Sequence, residues 1–395
     1  MKNNKKNVLN LSNKKNYAQY YTNSSLGEAL IKSIPREIFV EKIVDFSAGK
    51  GALLLQCKVR YPGCSLHGID IDAENIRFLK RNEIKATLID ATTSNINKLV
   101  NVESYYCLSV GNPPFKRISI NKHICELFSF YNIPTGNEIR AENYFLLYSL
   151  HIIKNEGGVV FIVPESIISG EKNKAFRAVL VERFKVIEVK EIPRGMFPGT
   201  EAKTFIISIR KSGCTDSVRL SYFGDDERYI TISDKEFIER SDFKFYAHAK
   251  MENKIPLFCF KVLRGNASSK VARYDSDKFI HTTSFKGKVN YFSNNEKMIK
   301  ESHENIYGIP GDIVIPRVGS RSLGKVGIIN DGYFKLSDCV FSLRPSNNKE
   351  KNKIISFLNS NQGRDFIRSI SKGIGASYIT LKDINLLSYD NAGIS

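Results

Sequence analysis

The first half of this chain predicts an α/β fold with a mainly parallel, Rossmann-like central sheet, on three observations. Short β-rich apolar runs alternate with longer helix-compatible segments, a glycine-rich turn joins the first such strand to the helix after it, and the next two strands each run into an aspartate. That alternation is the pattern of a sheet built from successive strand-helix-strand units.

Taken in order, Leu26 to Ser33 is expected to be helical and Lys42 to Phe46 to be a strand. The run Asp45-Phe46-Ser47-Ala48-Gly49-Lys50-Gly51 then places glycines where missing side chains let a ligand approach the backbone, before a helix over Ala52 to Tyr61. A second strand, Ser65 to Ile69, ends roughly twenty residues on at Asp70, a position suited to gripping a ribose 2′-hydroxyl. A helix over Ala73 to Asn82, a strand over Ala86 to Ile89 ending at Asp90, and a strand over Tyr105 to Val110 follow. Helices over Glu142 to Ile153 and Asn173 to Arg183 then alternate with strands Gly158 to Val163, Val186 to Glu191 and Thr204 to Arg210. These features imply a nucleotide-like cofactor. The glycine loop is neither GxGxxG nor GxxxxGK[ST], which disfavours NAD and ATP.

Directly after the fourth strand stands Asn112-Pro113-Pro114-Phe115. An aromatic amine is a poor nucleophile because its lone pair is delocalised into the ring. A catalyst must hold both of its N–H groups with acceptors that favour a pyramidal nitrogen, and the Asn112 side-chain carbonyl and Pro113 backbone carbonyl could be those acceptors. Two consecutive prolines fix φ and bias the preceding residue toward extended backbone, so the turn is stiff. Phe115 offers a flat face for stacking on a base.

At 395 residues and 42% hydrophobic content the chain is long enough for two cores. No apolar run approaches the roughly 20 residues that span a bilayer, and the Lys/Asn-rich Met1 to Lys15 segment lacks a signal-peptide core. Seven scattered cysteines without a CxxC pair argue against a disulfide framework and a zinc site, so a cytoplasmic protein without metal is expected. A formal charge of +18 and a pI near 9.4 point to a polyanionic partner.

In this order the motifs resemble those of the gamma class of S-adenosylmethionine-dependent N6-adenine DNA methyltransferases, over about residues 17 to 211. The resemblance implies that Tyr20 and Thr22, in Ala18-Gln19-Tyr20-Tyr21-Thr22, wrap the methionine end of the cofactor. Asp45, Ser47, Ala48, Gly49 and Gly51 would form the methionine-binding loop, with Asp70 on the ribose and Ile71 against the adenine. Asp90 would accept from the cofactor's adenine amino group. Asn112 to Phe115 would be the catalytic motif, and Phe197, in Met196-Phe197-Pro198, would pack on a flipped target adenine opposite Phe115. The chain departs from the family's habit at Phe46 and Asn23, where proline is common, and at Phe115, where tyrosine is commoner; stacking needs only the ring.

After about Val218 the alternation gives way to short strands, turns and Lys/Arg, which divides the chain into a catalytic domain over 1–225 and an α+β domain over 226–395. The segments Pro310 to Gly319, Gly324 to Gly327 and Lys372 to Ile384 are similar to target-recognition domains of restriction-modification specificity subunits. Arg317, Arg321 and Lys325 are then the candidates for contacting DNA, since arginine can pair bidentately with guanine in the major groove. The resemblance implies double-stranded DNA as partner, base flipping and methylation of adenine N6. No nuclease motif of the Asp…Glu-x-Lys type stands out, so any cognate restriction endonuclease is expected to be encoded separately. N4-cytosine methylation, N-methylation of an RNA base or a protein glutamine, and a catalytically silent DNA-binding module remain the alternatives.

Overall fold

The computed structural model describes residues 24–97, 106–197, 203–251, 256–268, 278–296, 305–373 and 376–389. It divides into two compact units, Met1–Phe243 and Lys244–Ser395.

The first unit is organised by a nine-stranded sheet. Its strands are β1 (Lys42–Asp45), β2 (Ser65–Asp70), β3 (Lys85–Leu88), β4 (Leu108–Gly111), β7 (Gly158–Pro164), β8 (Lys185–Ile192), β9 (Thr204–Arg210), β10 (Ser217–Tyr222) and β11 (Asp225–Ser233). Between β4 and β7 a short antiparallel ribbon, β5 (Arg117–Ser119) and β6 (Glu138–Arg140), stands apart from the sheet. The spatial order is β11-β10-β8-β9-β7-β4-β1-β2-β3, with the block from β7 to β3 parallel and β9 antiparallel to both its neighbours. Such a sheet is buried on both faces, and every residue of β4 and β7 is buried. That is why the strands read as continuous apolar runs in the sequence.

Helices α1 (Ser24–Lys32), α2 (Ala52–Arg60), α3 (Ala73–Arg81), α4 (Lys122–Phe130) and α5 (Ala141–Ile152) connect or cover these strands. Two begin at side-chain caps: Asp72 accepts from the Glu74 N–H at the start of α3, and Asn121 accepts from the Ile124 N–H at the start of α4. Most boundaries lie within a residue or two of those expected. The ribbon and α4 were not anticipated; the three-residue strands of the ribbon leave little periodicity to read.

The sheet does not stop near residue 225. The strand over Asp225–Ser233 pairs antiparallel with β10, which itself runs parallel beside β8, and this carries the first unit to Phe243. A buried ion cluster ties this last segment to the sheet. Lys203 Nζ lies 3.0 Å from Asp242 Oδ2 and 3.2 Å from Glu191 Oε1, with Glu165 Oε1 at 3.9 Å. Asp242 also accepts two hydrogen bonds from the Arg240 guanidinium. Burial by itself would lower the Lys203 pKa, but Asp242, Glu191 and Glu165 outweigh it and hold the amine above its usual range.

The second unit contains β12 (Phe260–Arg264), β13 (Phe279–Ile280), β14 (Val289–Ser293), β15 (Tyr307–Gly308), β16 (Ile313–Pro316), β17 (Val326–Asp331), β18 (Phe334–Leu336) and β19 (Val340–Pro345). They form a five-stranded sheet ordered β12-β19-β16-β17-β14 and a three-stranded one ordered β13-β18-β15. Helices Asn348–Asn359 and Asn361–Ile370 contribute Ile354, Phe357, Phe366 and Ile370 to the core of the larger sheet. The Gly311-Asp312 turn is fixed from inside. Asp312, 1% exposed, accepts from Arg344 Nε and Nη2 at 2.9 Å each and from Ser342 Oγ at 2.8 Å.

Candidate active site

Because β4, β1, β2 and β3 are parallel neighbours, their carboxyl ends meet along one edge of the sheet, and the chain order reverses between β1 and β4. Ligands of open α/β sheets bind in the crevice at such a reversal. Here that edge holds a cavity of about 240 Å³ lined by Asp45, Ser47, Ala48, Gly49, Asp70, Ile71 and Asp90, together with Asn112, Pro113 and Pro114. The small cavity of the second unit, about 10 Å³, holds no more than a single water.

The loop after β1 owes its shape to glycine at two places. Gly49 has φ +53° and nothing within 4 Å of where a Cβ would stand, so its bare backbone faces open space. Gly51 has φ +74°, and a Cβ there would come within 2.4 Å of Leu79 Cδ2. Gly51 lies outside the cavity wall and serves the packing of the turn on α3. The turn is clamped between the two strand ends: the Gly49 N–H donates to Asp70 Oδ2 at 2.7 Å, and the Ser47 N–H donates to Asp45 Oδ1 at 2.9 Å.

Three carboxylates thus face one space. Asp70 Oδ1 accepts from the Asp72 N–H at 2.8 Å and Asn75 Nδ2 at 3.1 Å, which aims the carboxylate while leaving acceptor capacity unused. Asp90 Oδ1 accepts from the Thr92 N–H and hydroxyl at 2.9 and 2.6 Å. Asp45 is 2% exposed, and burial, reinforced by the like charge of Asp70, pushes its carboxyl up to about 7. Burial also raises Asp70.

The same cavity is lined by the Asn112-Pro113-Pro114 turn, by Lys116 and Ile118 at and just before the ribbon, and by Ala141 and Phe145 of α5. Those last four carried no functional signal in the sequence. Phe115 is half-buried and packs on the apolar core rather than lining the cavity. Phe197 is 4% exposed and a member of the same core cluster, so the ring expected to offer a face to a base is engaged in packing. Tyr20 and Thr22 lie outside the described residues.

The three basic candidates of the second unit differ. Arg321 is exposed, whereas Arg317 Nη1 donates to the Asp338 carbonyl at 3.0 Å and Lys325 Nζ donates to the Phe285 carbonyl at 2.8 Å. Among the described residues no group of histidines, cysteines and acids could hold a metal ion, and no helix is long and apolar enough to cross a membrane.

No curated protein matches the chain by sequence. Among solved structures it is similar to the type IIG restriction endonuclease BpuSI, at 15% identity and a TM-score of 0.54 over 92% of this chain and 58% of that one. It thus spans somewhat over half the length of that chain, and the likeness shows a common fold. A type I restriction-modification methyltransferase subunit from Streptococcus thermophilus is also similar, at 18% identity and a TM-score of 0.46, over 60% of this chain and 54% of that one. The family model for N-6 DNA methylases matches residues 8–269, well over half of the sequence and the whole cavity-bearing sheet, and the chain belongs to that family.

Proposed function

We propose that this protein transfers a methyl group from S-adenosylmethionine to the N6 amino group of a target adenine in duplex DNA. The observation that carries the reading is that the Asn112-Pro113-Pro114 turn and the three acids Asp45, Asp70 and Asp90 line a single cavity.

The residues fit that cofactor. Asp45 suits its ammonium group, Asp70 its ribose hydroxyls, Asp90 its adenine amino group, and Gly49 leaves the backbone open to its approach. When bound, the cofactor supplies an electrophilic methyl on a sulfonium. The protein must then present a nitrogen lone pair in line with that methyl. The Asn112 side-chain carbonyl and the Pro113 carbonyl would accept the two amino protons, favouring the pyramidal nitrogen whose lone pair is free, and direct transfer needs no covalent enzyme intermediate. A base inside a duplex cannot reach this turn, so the adenine must leave the stack. Phe115 follows the turn and would have to swing from its core packing to supply a stacking face. Phe197 would have to leave its core packing to supply a second one.

The second unit is proposed as the sequence-reading half. It presents Arg321 on a loop following a strand, a placement from which a side chain can reach base edges.

The test is incubation of the full chain with duplex DNA and methyl-labelled S-adenosylmethionine, followed by nucleoside analysis. N6-methyladenine is the expected product. N4-methylcytosine would move the activity to the other exocyclic amine, and label in RNA or protein alone would refute a DNA substrate. Asn112→Ala should lower turnover at least a hundredfold, roughly 3 kcal/mol of transition-state stabilisation, while cofactor affinity stays near wild type.

A further inference from the structure

Two arginines of the second unit reach the same end of one sheet face, and neither makes a salt bridge among the described residues. Arg264 ends β12 and Arg317 follows directly on β16. Both strands are antiparallel to β19, so they run in the same direction and deliver the two residues to the same end of the sheet. Arg264 is registered opposite Phe341, and Phe341 opposite Ile315. Register partners share a face of a sheet, and so do residues two apart on one strand. Arg264 and Arg317 therefore flank the buried ring of Phe341 on one face, and the Arg317 guanidinium carbon lies 5.9 Å from the centre of that ring.

Arg317 is tethered. Its Nη1 donates to the Asp338 carbonyl, and it is half-buried. Arg264 is exposed and, among the described residues, its side chain makes no hydrogen bond or ion pair. The nearest acid, Asp338, has its carboxylate beside the Cys339 thiol at 3.3 Å. Burial first and the Arg264 charge second lower the Arg317 pKa, while Cys339, Asp338 and Tyr378 oppose the shift without cancelling it. Asp338 supplies a negative charge to Arg317 while the exposed Arg264 on the same sheet face stays unmatched, so an oxyanion placed between the two guanidinium groups supplies the missing charge.

We infer that Arg264 and Arg317 clamp a phosphodiester group of the DNA backbone, fixing the register of the duplex without reading a base. This rests on the proposed DNA substrate and changes the role expected for Arg317. A guanidinium tied to the Asp338 carbonyl and held at an aromatic ring cannot extend into a groove, whereas two cations at the same end of one sheet face match a tetrahedral oxyanion. Arg321, exposed on the loop beyond, keeps the base-reading role.

The experiment titrates the full chain with a duplex containing its methylated site and with single-mismatch duplexes, at several salt concentrations. Arg264→Ala lies on the surface and should fold normally, with cofactor binding as the check. It should weaken every duplex alike, about tenfold at low salt, and reduce the salt slope by about one unit. Arg317→Lys, which keeps the charge, should restore most of what Arg317→Ala loses, and Arg321→Ala should instead weaken discrimination at one base position. The clamp is overturned if Arg264→Ala leaves affinity and slope unchanged, or if its loss is confined to one base position. It is likewise overturned if the variant loses binding of inorganic phosphate while duplex binding is untouched. Wild-type protein that binds no duplex at any salt concentration would sink the DNA reading itself, a result separate from these.

Discussion

The carboxyl edge of the first unit's sheet and the Asp312 turn of the second treat buried acids in opposite ways. At the turn, Asp312 spends its carboxylate on Arg344 and Ser342. At the sheet edge, Asp45, Asp70 and Asp90 accept a few local hydrogen bonds and share a cavity with no ion pair to any of them among the described residues. The Lys203 cluster shows that the first unit can neutralise its acids when structure requires it. An acid paired internally stabilises the fold, while an acid left beside open space is available to a ligand, and burial without a counter-charge raises the carboxyls of Asp45 and Asp70.

The largest effect should come from breaking a paired acid. Lys203→Met leaves Asp242 and Glu191 buried with less counter-charge and is expected to cost about 3–5 kcal/mol of stability, measured by denaturant unfolding. A loss below about 1 kcal/mol would mean that water or rearrangement replaces the amine, and the distinction between paired and open acids would fail.

An open acid should show the reverse. Asp70→Ala is expected to weaken S-adenosylmethionine binding by ten- to a hundredfold in calorimetry, about 1.4–3 kcal/mol, and to cost less unfolding stability than Lys203→Met, about 1–3 kcal/mol, because the Gly49 and Asp72 N–H groups and Asn75 lose an acceptor but no charge is stranded. Unchanged cofactor affinity would remove Asp70 from the ribose.

The smallest effect is a pH dependence that sharpens the comparison. An ordinary aspartate titrates near 3.9, and Asp45 is held up at about 7. The sign follows from that raised value: neutral Asp45 favours the fold below the unfolded pKa, and this contribution is lost as pH rises through about 7. A cationic ligand prefers the ionised form, so cofactor affinity should rise by about tenfold from pH 6 to a plateau above pH 8. Asp45→Asn should flatten that rise, and a wild-type affinity that falls over this range would contradict the placement of a cation beside Asp45.

Much of this was legible in the chain alone. The parallel sheet announces itself because strands buried on both faces are apolar throughout, as in Gly158–Pro164, and strands of that kind alternate with helices long enough to read. The cavity acids were legible because a glycine turn and strand-ending aspartates are local features whose meaning depends on a few neighbours. What local sequence could not determine is which side chains stay available. Phe197 reads as a stackable ring, yet it is packed in the core. Arg317 and Lys325 read as free cations, yet both are tied to backbone carbonyls far along the chain. Arg264 attracted no notice, because it becomes half of a pair only when β12 and β16 are brought to either side of β19. The sequence by itself determined the order of strands and the identity of the acids, since both follow from short-range patterning. Tertiary structure alone decided the spatial neighbours, because burial and hydrogen bonding between distant segments settle whether a charge or a ring is used internally or offered to a ligand.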